Sequence, residues 1–125
     1  MLEVKDLKVR FGRKEVLHGV SLRVEKGEVV TLIGSNGAGK TTLLRTISGL
    51  YRPFEGSIAF EGADITRQDP HKIIARGLVQ VPEGRLLFPE MTVLEHLDLG
   101  ALGARARGTG ARSVNDVFEL FPRLA

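Results

Sequence analysis

The sequence has no cysteine. That absence excludes disulfides and thiolate metal sites, and it suits a reducing compartment. Long apolar runs are missing too. Nothing approaches the roughly 20 residues that a membrane-spanning helix needs. The N-terminus, "MLEVKDLKVRFG", alternates apolar and charged side chains and lacks the continuous apolar centre of a signal peptide. Charge of one sign is scarce: 18 Lys and Arg stand against 15 Asp and Glu, a net of +3. So small an excess reads as a solvated surface rather than a nucleic-acid footprint, and no nucleic-acid partner is expected. No internal repeat and no long polar linker divides the 125 residues, a length that suits one modest domain. The chain is expected to be soluble by itself, with any link to a membrane running through a partner.

What the sequence does have is glycine at telling places. Leu2, Val4, Leu7, Val9 and Phe11 nearly alternate with charges, and a slip at Asp6-Leu7 predicts a half-buried strand with a bulge. Gly12-Arg13-Lys14 predicts a turn into a second strand over 16–24. "EVVTLIG" is almost continuously apolar and β-branched from Val29 to Ile33, the pattern of a strand buried on both faces. "KTTLLRTISGL" places Leu43, Leu44, Ile47 and Leu50 at helical spacing, with Gly49 as the stop. "SIAFEG" predicts a short strand, and Pro70 opens a short helix closed by Gly77. "GLVQV" predicts another buried strand. Thr92 and Glu95 have capping-box spacing for a helix through Leu99. "GARARGTGAR" predicts an exposed basic loop, and Ser113 a cap for a last helix before Pro122. This order of elements argues for a mixed α/β layer structure.

Between the apolar run and the first helix stands "GSNGAGKTT". Gly34-x-x-x-x-Gly39-Lys40-Thr41 fits the phosphate-binding loop pattern, in the strand-to-helix context that gives the pattern meaning. Gly34, Gly37 and Gly39 let successive backbone N–H groups of Gly34, Ser35, Asn36, Gly37, Ala38 and Gly39 curl into an anion nest. The helix turns its positive end on the same spot. Lys40 adds a cation for the outer phosphates. The Thr41 hydroxyl suits an octahedral Mg²⁺ that keeps most of its waters, and Thr42 offers a further hydroxyl to a phosphate oxygen. The expectation is nucleoside triphosphate binding.

These residues, and their surroundings, resemble the ATP-binding cassette transporter ATPases. The resemblance covers essentially the whole chain: "HGVSLRVEKGEVVTLIG", the phosphate loop, "SGLYRPFEGSIAFEGADIT" and "GLVQVPEGRLLFPEMTVLEHLDLGA". "PHKIIARGLVQVPEGRLLFPEMTV" is most similar to ATPase subunits of branched-chain amino acid importers. The resemblance implies the N-terminal portion of a phosphate-loop α/β ATPase fold, with a mixed sheet and an antiparallel N-terminal β-subdomain. It implies ATP and Mg²⁺ as ligands. The implied partners are a second ATPase subunit and transmembrane permease subunits, at the cytoplasmic face of the membrane.

Carried over by position, Phe11 matches the aromatic that stacks on adenine, where the family more often has tyrosine; it also reads as a core aromatic of the first strand. Residues Gly34 to Thr42 match the loop throughout, with Lys40 in the catalytic role. The family has a glutamine that helps hold Mg²⁺ and the attacking water, six residues before the proline of an "LFP"-like turn. Six before Pro89 is Glu83, so Glu83 takes that catalytic and metal-binding place, and Gln80 reads as a strand residue. A glutamate keeps an oxygen ligand but adds a charge that favours Mg²⁺; a solvated loop glutamate is the other reading. Leu86, Leu87, Phe88 and Met91 read either as part of a permease-docking patch or as ordinary core. His18, His71 and His96 share no metal-ligand spacing and read as structural or surface histidines.

The family's serine-glycine signature, its apolar strand ending in Asp-Glu and its switch histidine have no counterpart among the 125 residues. The resemblance therefore implies residues 1–125 as part of a nucleotide-binding domain, a fragment that binds Mg-ATP with negligible hydrolysis. In the family's fold the strands without a counterpart lie between "EVVTLIG" and "GLVQV", which predicts unpaired apolar edges and a poorly stable or dimeric chain. Two rival readings are a non-catalytic nucleotide-binding module complete as it stands, and a cassette ATPase working outside transport.

Overall fold

The computed structural model describes residues 1–37, 39–106, 108 and 113–125. They fall into two compact units, Met1–Ile74 with Leu78–Gln80, and Ala75–Gly77 with Val81–Ala125.

The first unit is built on an antiparallel sheet. Strand β1 (Leu2–Phe11) turns through Gly12-Arg13 into β2 (Lys14–Val24), and Phe11 faces Lys14 across the two-residue loop. Strands β3 (Glu55–Phe60) and β4 (Ala63–Asp64) extend the sheet on the other side of β1, giving the order β2-β1-β3-β4. The slip at Asp6 is a real bulge. Val4 pairs with Leu22 but Leu7 pairs with Val20, so one extra residue sits in β1. The bulge resets the alternation so that Val4, Leu7 and Val9 all enter the core. Asp6 takes φ 44, and its N–H donates to Ser21 Oγ at 2.9 Å, which satisfies the amide the bulge frees from the ladder. On the other side of β1, Gly56 lies against the bulge. A Cβ there would meet the Asp6 carbonyl oxygen at 2.4 Å, so only glycine admits this strand pairing.

Helix α1 (Lys40–Ile47) covers one face of the sheet with Leu43 and Ile47, which join Val4, Leu7, Val9, Leu17, Ile58, Ile65 and Ile73 in the core. Leu44 and Leu50, placed at the same spacing by the sequence, face outward. Thr46 is buried with its Oγ1 donating to the Thr42 carbonyl at 2.7 Å, so its burial leaves no polar atom unsatisfied. The helix stops where Gly49 predicts: Gly49 N donates to Thr46 O and Leu50 N to Arg45 O, the paired bonds of a Schellman ending. Helix α2 (Pro70–Ala75) contributes Ile73.

Two expected strands do not form. Residues 28–35 and 78–82 carry no strand assignment, and Val29, Ile33 and Val81 are 92%, 94% and 91% exposed. Their β-branched composition records a preference for burial on both faces. A strand of that kind also needs ladder neighbours, and among the described residues neither segment has one, although Leu78 packs against the core.

The second unit holds α3 (Val93–Ala106), α4 (Val114–Leu120) and a 3₁₀ turn at Pro122–Leu124. Thr92 and Glu95 form the expected capping box: Glu95 N donates to Thr92 Oγ1 at 3.2 Å and Thr92 N to Glu95 Oε2 at 2.7 Å. Ser113 and Asp116 repeat the device at α4. Helix α3 runs beyond Leu99, through Gly100 and Gly103, so residues 103–106 of the expected basic loop are helical. Of the rest of that loop, Arg107, Thr109, Gly110, Ala111 and Arg112 lie outside the described residues.

Candidate functional site

The glycine-rich loop of the first unit ends on α1. Gly34 to Gly37 are exposed and outside regular structure, and Gly37 takes φ 85. Ala38 lies outside the described residues. Gly39 is the N-cap of α1, left-handed at φ 93 and ψ 4, and it makes no side-chain capping bond. Its carbonyl accepts the first helical bond, from Leu43 N at 2.8 Å. The amides of Lys40, Thr41 and Thr42 thus have no partner within the helix. Nor does the first turn carry an acidic side chain that would compete for its positive end.

Gly39 is buried, and a Cβ there would come within 2.7 Å of Leu17 Cδ2. Strand β2 therefore presses directly on the loop's last glycine, and the hairpin fixes where α1 begins. Lys40 is half-buried, and its Nζ donates to the Gly34 carbonyl oxygen. The ammonium is drawn back across the loop, joining its first and last residues. Thr41 is exposed and Thr42 half-buried, both in the first turn of α1. The arrangement offers uncapped backbone donors, one cation and hydroxyls with no nearby carboxylate on the same turn. That donor set fits an anion carrying several oxygens.

Phe11 ends β1 and is 46% exposed, so it is not the core aromatic of its strand. Its ring meets Tyr51 edge-on, centroids 5.0 Å apart at 80°. The Tyr51 hydroxyl accepts from Arg45 Nη1 at 2.9 Å, and Tyr51 N donates to Arg45 O at 3.3 Å. Arg45 is in the last turn of α1. Phe11 is thereby held against the C-terminal turn of the same helix whose N-terminus the glycine loop opens, a helix about 12 Å long. Tyr51 and Arg45 were invisible as supports in the sequence, because the contact joins a hairpin end to a helix end.

Gln80 also belongs to the C-terminal end of α1: Ser48 Oγ donates to its Oε1 at 2.6 Å. That anchorage separates Gln80 from the loop's end of the helix. Glu83 lies in the second unit, exposed, on a turn where Gly84 has φ 90 and Arg85 has φ 48. Leu86, Leu87 and Phe88 are exposed rather than core, and Met91 is half-buried. His18 pairs with Glu15 at 3.4 Å on the surface of β2.

Comparison with known proteins adds the following. A family model described as ABC transporter matches residues 17–123. The chain is 40% identical over 124 residues to the high-affinity branched-chain amino acid transport ATP-binding protein BraG of Pseudomonas aeruginosa, a match that spans 99% of this chain and 53% of that protein. It is 36% identical over 99 residues to the xylose/arabinose import ATP-binding protein XylG of Sulfolobus acidocaldarius, covering 79% of this chain and 39% of that one. Among solved structures, a nucleotide-free ATP-binding cassette from an ABC transporter superposes with TM-score 0.74 at 32% identity, covering 99% of this chain and 47% of that chain. The structure of an ATP-binding subunit of an ABC transporter gives TM-score 0.78 at 35% identity, with 99% and 49% covered. The chain spans about half the length, or less, of each of these proteins.

Proposed function

Because the chain belongs to the ABC transporter family, we propose that Gly34 to Thr42 hold the polyphosphate of Mg-ATP and that the whole protein is the ATP-binding subunit of an importer. The observation that carries this reading is the start of α1, where an uncapped helix end, a left-handed Gly39 and Lys40 converge on one loop. Residues 1–125 then correspond to part of a nucleotide-binding domain.

In this reading the Gly37, Gly39, Lys40 and Thr41 amides bind phosphate oxygens. Lys40 exchanges the Gly34 carbonyl for the outer phosphates and stabilises charge that builds there. Phe11, steadied by Tyr51, offers its exposed face to adenine. The Thr41 hydroxyl would supply an oxygen ligand to Mg²⁺ and so offset phosphate charge. A metal-binding role for Glu83 is supported by its position in the sequence alone, six residues before Pro89. Among the described residues no three His, Cys, Asp or Glu side chains gather as a metal cage.

The partners proposed are a second ATPase subunit and membrane permease subunits. Branched-chain amino acids are the proposed cargo, supported by the near-complete coverage of this chain by the BraG match. Titration calorimetry with Mg-ATP tests the central assignment. The loss of charge-assisted contacts in Lys40→Ala, about 1.5–3 kcal/mol, should weaken binding roughly 10- to 150-fold. Equal affinity in parent and variant would remove the loop from the binding site.

A further inference from the structure

His96 stands in the first turn of α3, and its two ring nitrogens face partners of opposite kind. Nδ1 lies 2.7 Å from the Thr92 carbonyl oxygen, which can only accept. Nε2 lies 3.1 Å from the Phe88 backbone N–H, which can only donate. Both contacts are satisfied by one species alone, the neutral ring with its proton on Nδ1. The lone pair on Nε2 is then the acceptor that ties the loop before α3 to the helix. Phe88 is the node of that loop: its own carbonyl accepts from Met91 N at 3.0 Å, and its ring lies 6.1 Å from the imidazole.

Beside this contact is an apolar cleft of about 360 Å³; among the described residues that line it His96 is the one titratable side chain, and the others include Leu87, Met91, Leu97 and Leu124. Arg85, Glu90, Asp98 and Arg123, the charged residues of the same segments, do not line it. Glu95 is the neighbouring charge. Its carboxylate is already engaged by the Thr92 N–H and hydroxyl, which hold it below the usual carboxylate range.

We propose that His96 is a positioning residue that holds the loop preceding α3 only while its imidazole is neutral, so that the shape of the apolar cleft depends on pH. A proton on Nε2 turns the acceptor into a donor facing the Phe88 N–H. The bond cannot survive that change, and either the ring or the loop must move away. No nucleotide takes part, so this device stands or falls apart from the assignment of the phosphate loop.

Amide hydrogen exchange by NMR on the full chain tests it, with rates corrected for the intrinsic effect of pH. Protection of the Phe88 amide should fall about tenfold between about pH 8 and about pH 5.5, the worth of one such bond. The Leu7 and Ile58 amides of the sheet should keep theirs. In His96→Gln the side-chain oxygen reaches the Nε2 position and does not titrate, so Phe88 protection should persist at both pH values. In His96→Leu it should be low at both. Nitrogen shifts of the His96 ring at the higher pH should report the proton on Nδ1. A ring protonated on Nε2 at that pH, Phe88 protection indifferent to pH in the parent, the parent's pH response retained in His96→Gln, or parallel loss in the sheet would each overturn the proposal.

Discussion

Replacing Gly39 by alanine separates the geometry of the loop from its composition. The residue sits at φ 93, where an L side chain costs about 1–2 kcal/mol. Its new Cβ would stand 2.7 Å from Leu17 Cδ2, and Leu17 is buried, so the leucine must leave its rotamer at about 0.5–1.5 kcal/mol. Together these come to about 1.5–3.5 kcal/mol. Relaxation of the loop relieves that strain, and nucleotide binding must reimpose it, which corresponds to a roughly 10- to 400-fold weaker affinity for Mg-ATP. Gly62→Ala is the control. Gly62 has φ 78, so it carries a similar backbone cost, but a Cβ there meets nothing within 4 Å. Its urea midpoint should fall by the backbone cost alone, with nucleotide affinity unchanged. Calorimetry and urea melts on both variants check the reasoning. If Gly39→Ala binds Mg-ATP as tightly as Gly62→Ala does, the shape of the loop does not govern phosphate binding.

Leu7 is fully buried at the bulge, so Leu7→Ala should cost about 2–5 kcal/mol, read as a lower urea midpoint at unchanged slope. Phe11→Ala should lose the stacking of one base, about 1–3 kcal/mol in Mg-ATP affinity by calorimetry, while Phe11→Tyr should bind as the parent does. Asp64 is held below the usual carboxylate range by the Thr66 hydroxyl and then by the Thr66 N–H. Its contribution is present above the ordinary Asp range and is lost as pH falls through the depressed value. The stability gap between parent and Asp64→Asn should therefore be full at neutral pH and close in acid, measured by urea melts across pH.

The local signals in the sequence translated well into structure. The bulge at Asp6, the Schellman ending at Gly49 and the caps at Thr92 and Ser113 depend on neighbours a few residues apart, and each is where its pattern places it. The failures are non-local. An apolar run such as Val29–Ile33 states what a segment prefers, whereas a strand also needs a partner. The helix expected through Leu99 runs on through Gly100 and Gly103, since a lone glycine costs a helix only about 1 kcal/mol. At the candidate site, the glycine loop and its lysine were legible because a motif encodes a backbone shape. The Phe11–Tyr51–Arg45 stack, the Gly56 approach and the His96–Phe88 bond were not, because each joins segments that only the fold brings together.

The most direct test of the central claim is to follow every backbone amide of the chain by NMR while Mg-ATP is added to saturation. Grip by the loop predicts that the largest and saturating shifts fall on Gly37, Gly39, Lys40 and Thr41, with the Phe11 ring responding to the base. Saturating nucleotide that leaves those amides in place, or that moves residues elsewhere while the loop stays still, would contradict it.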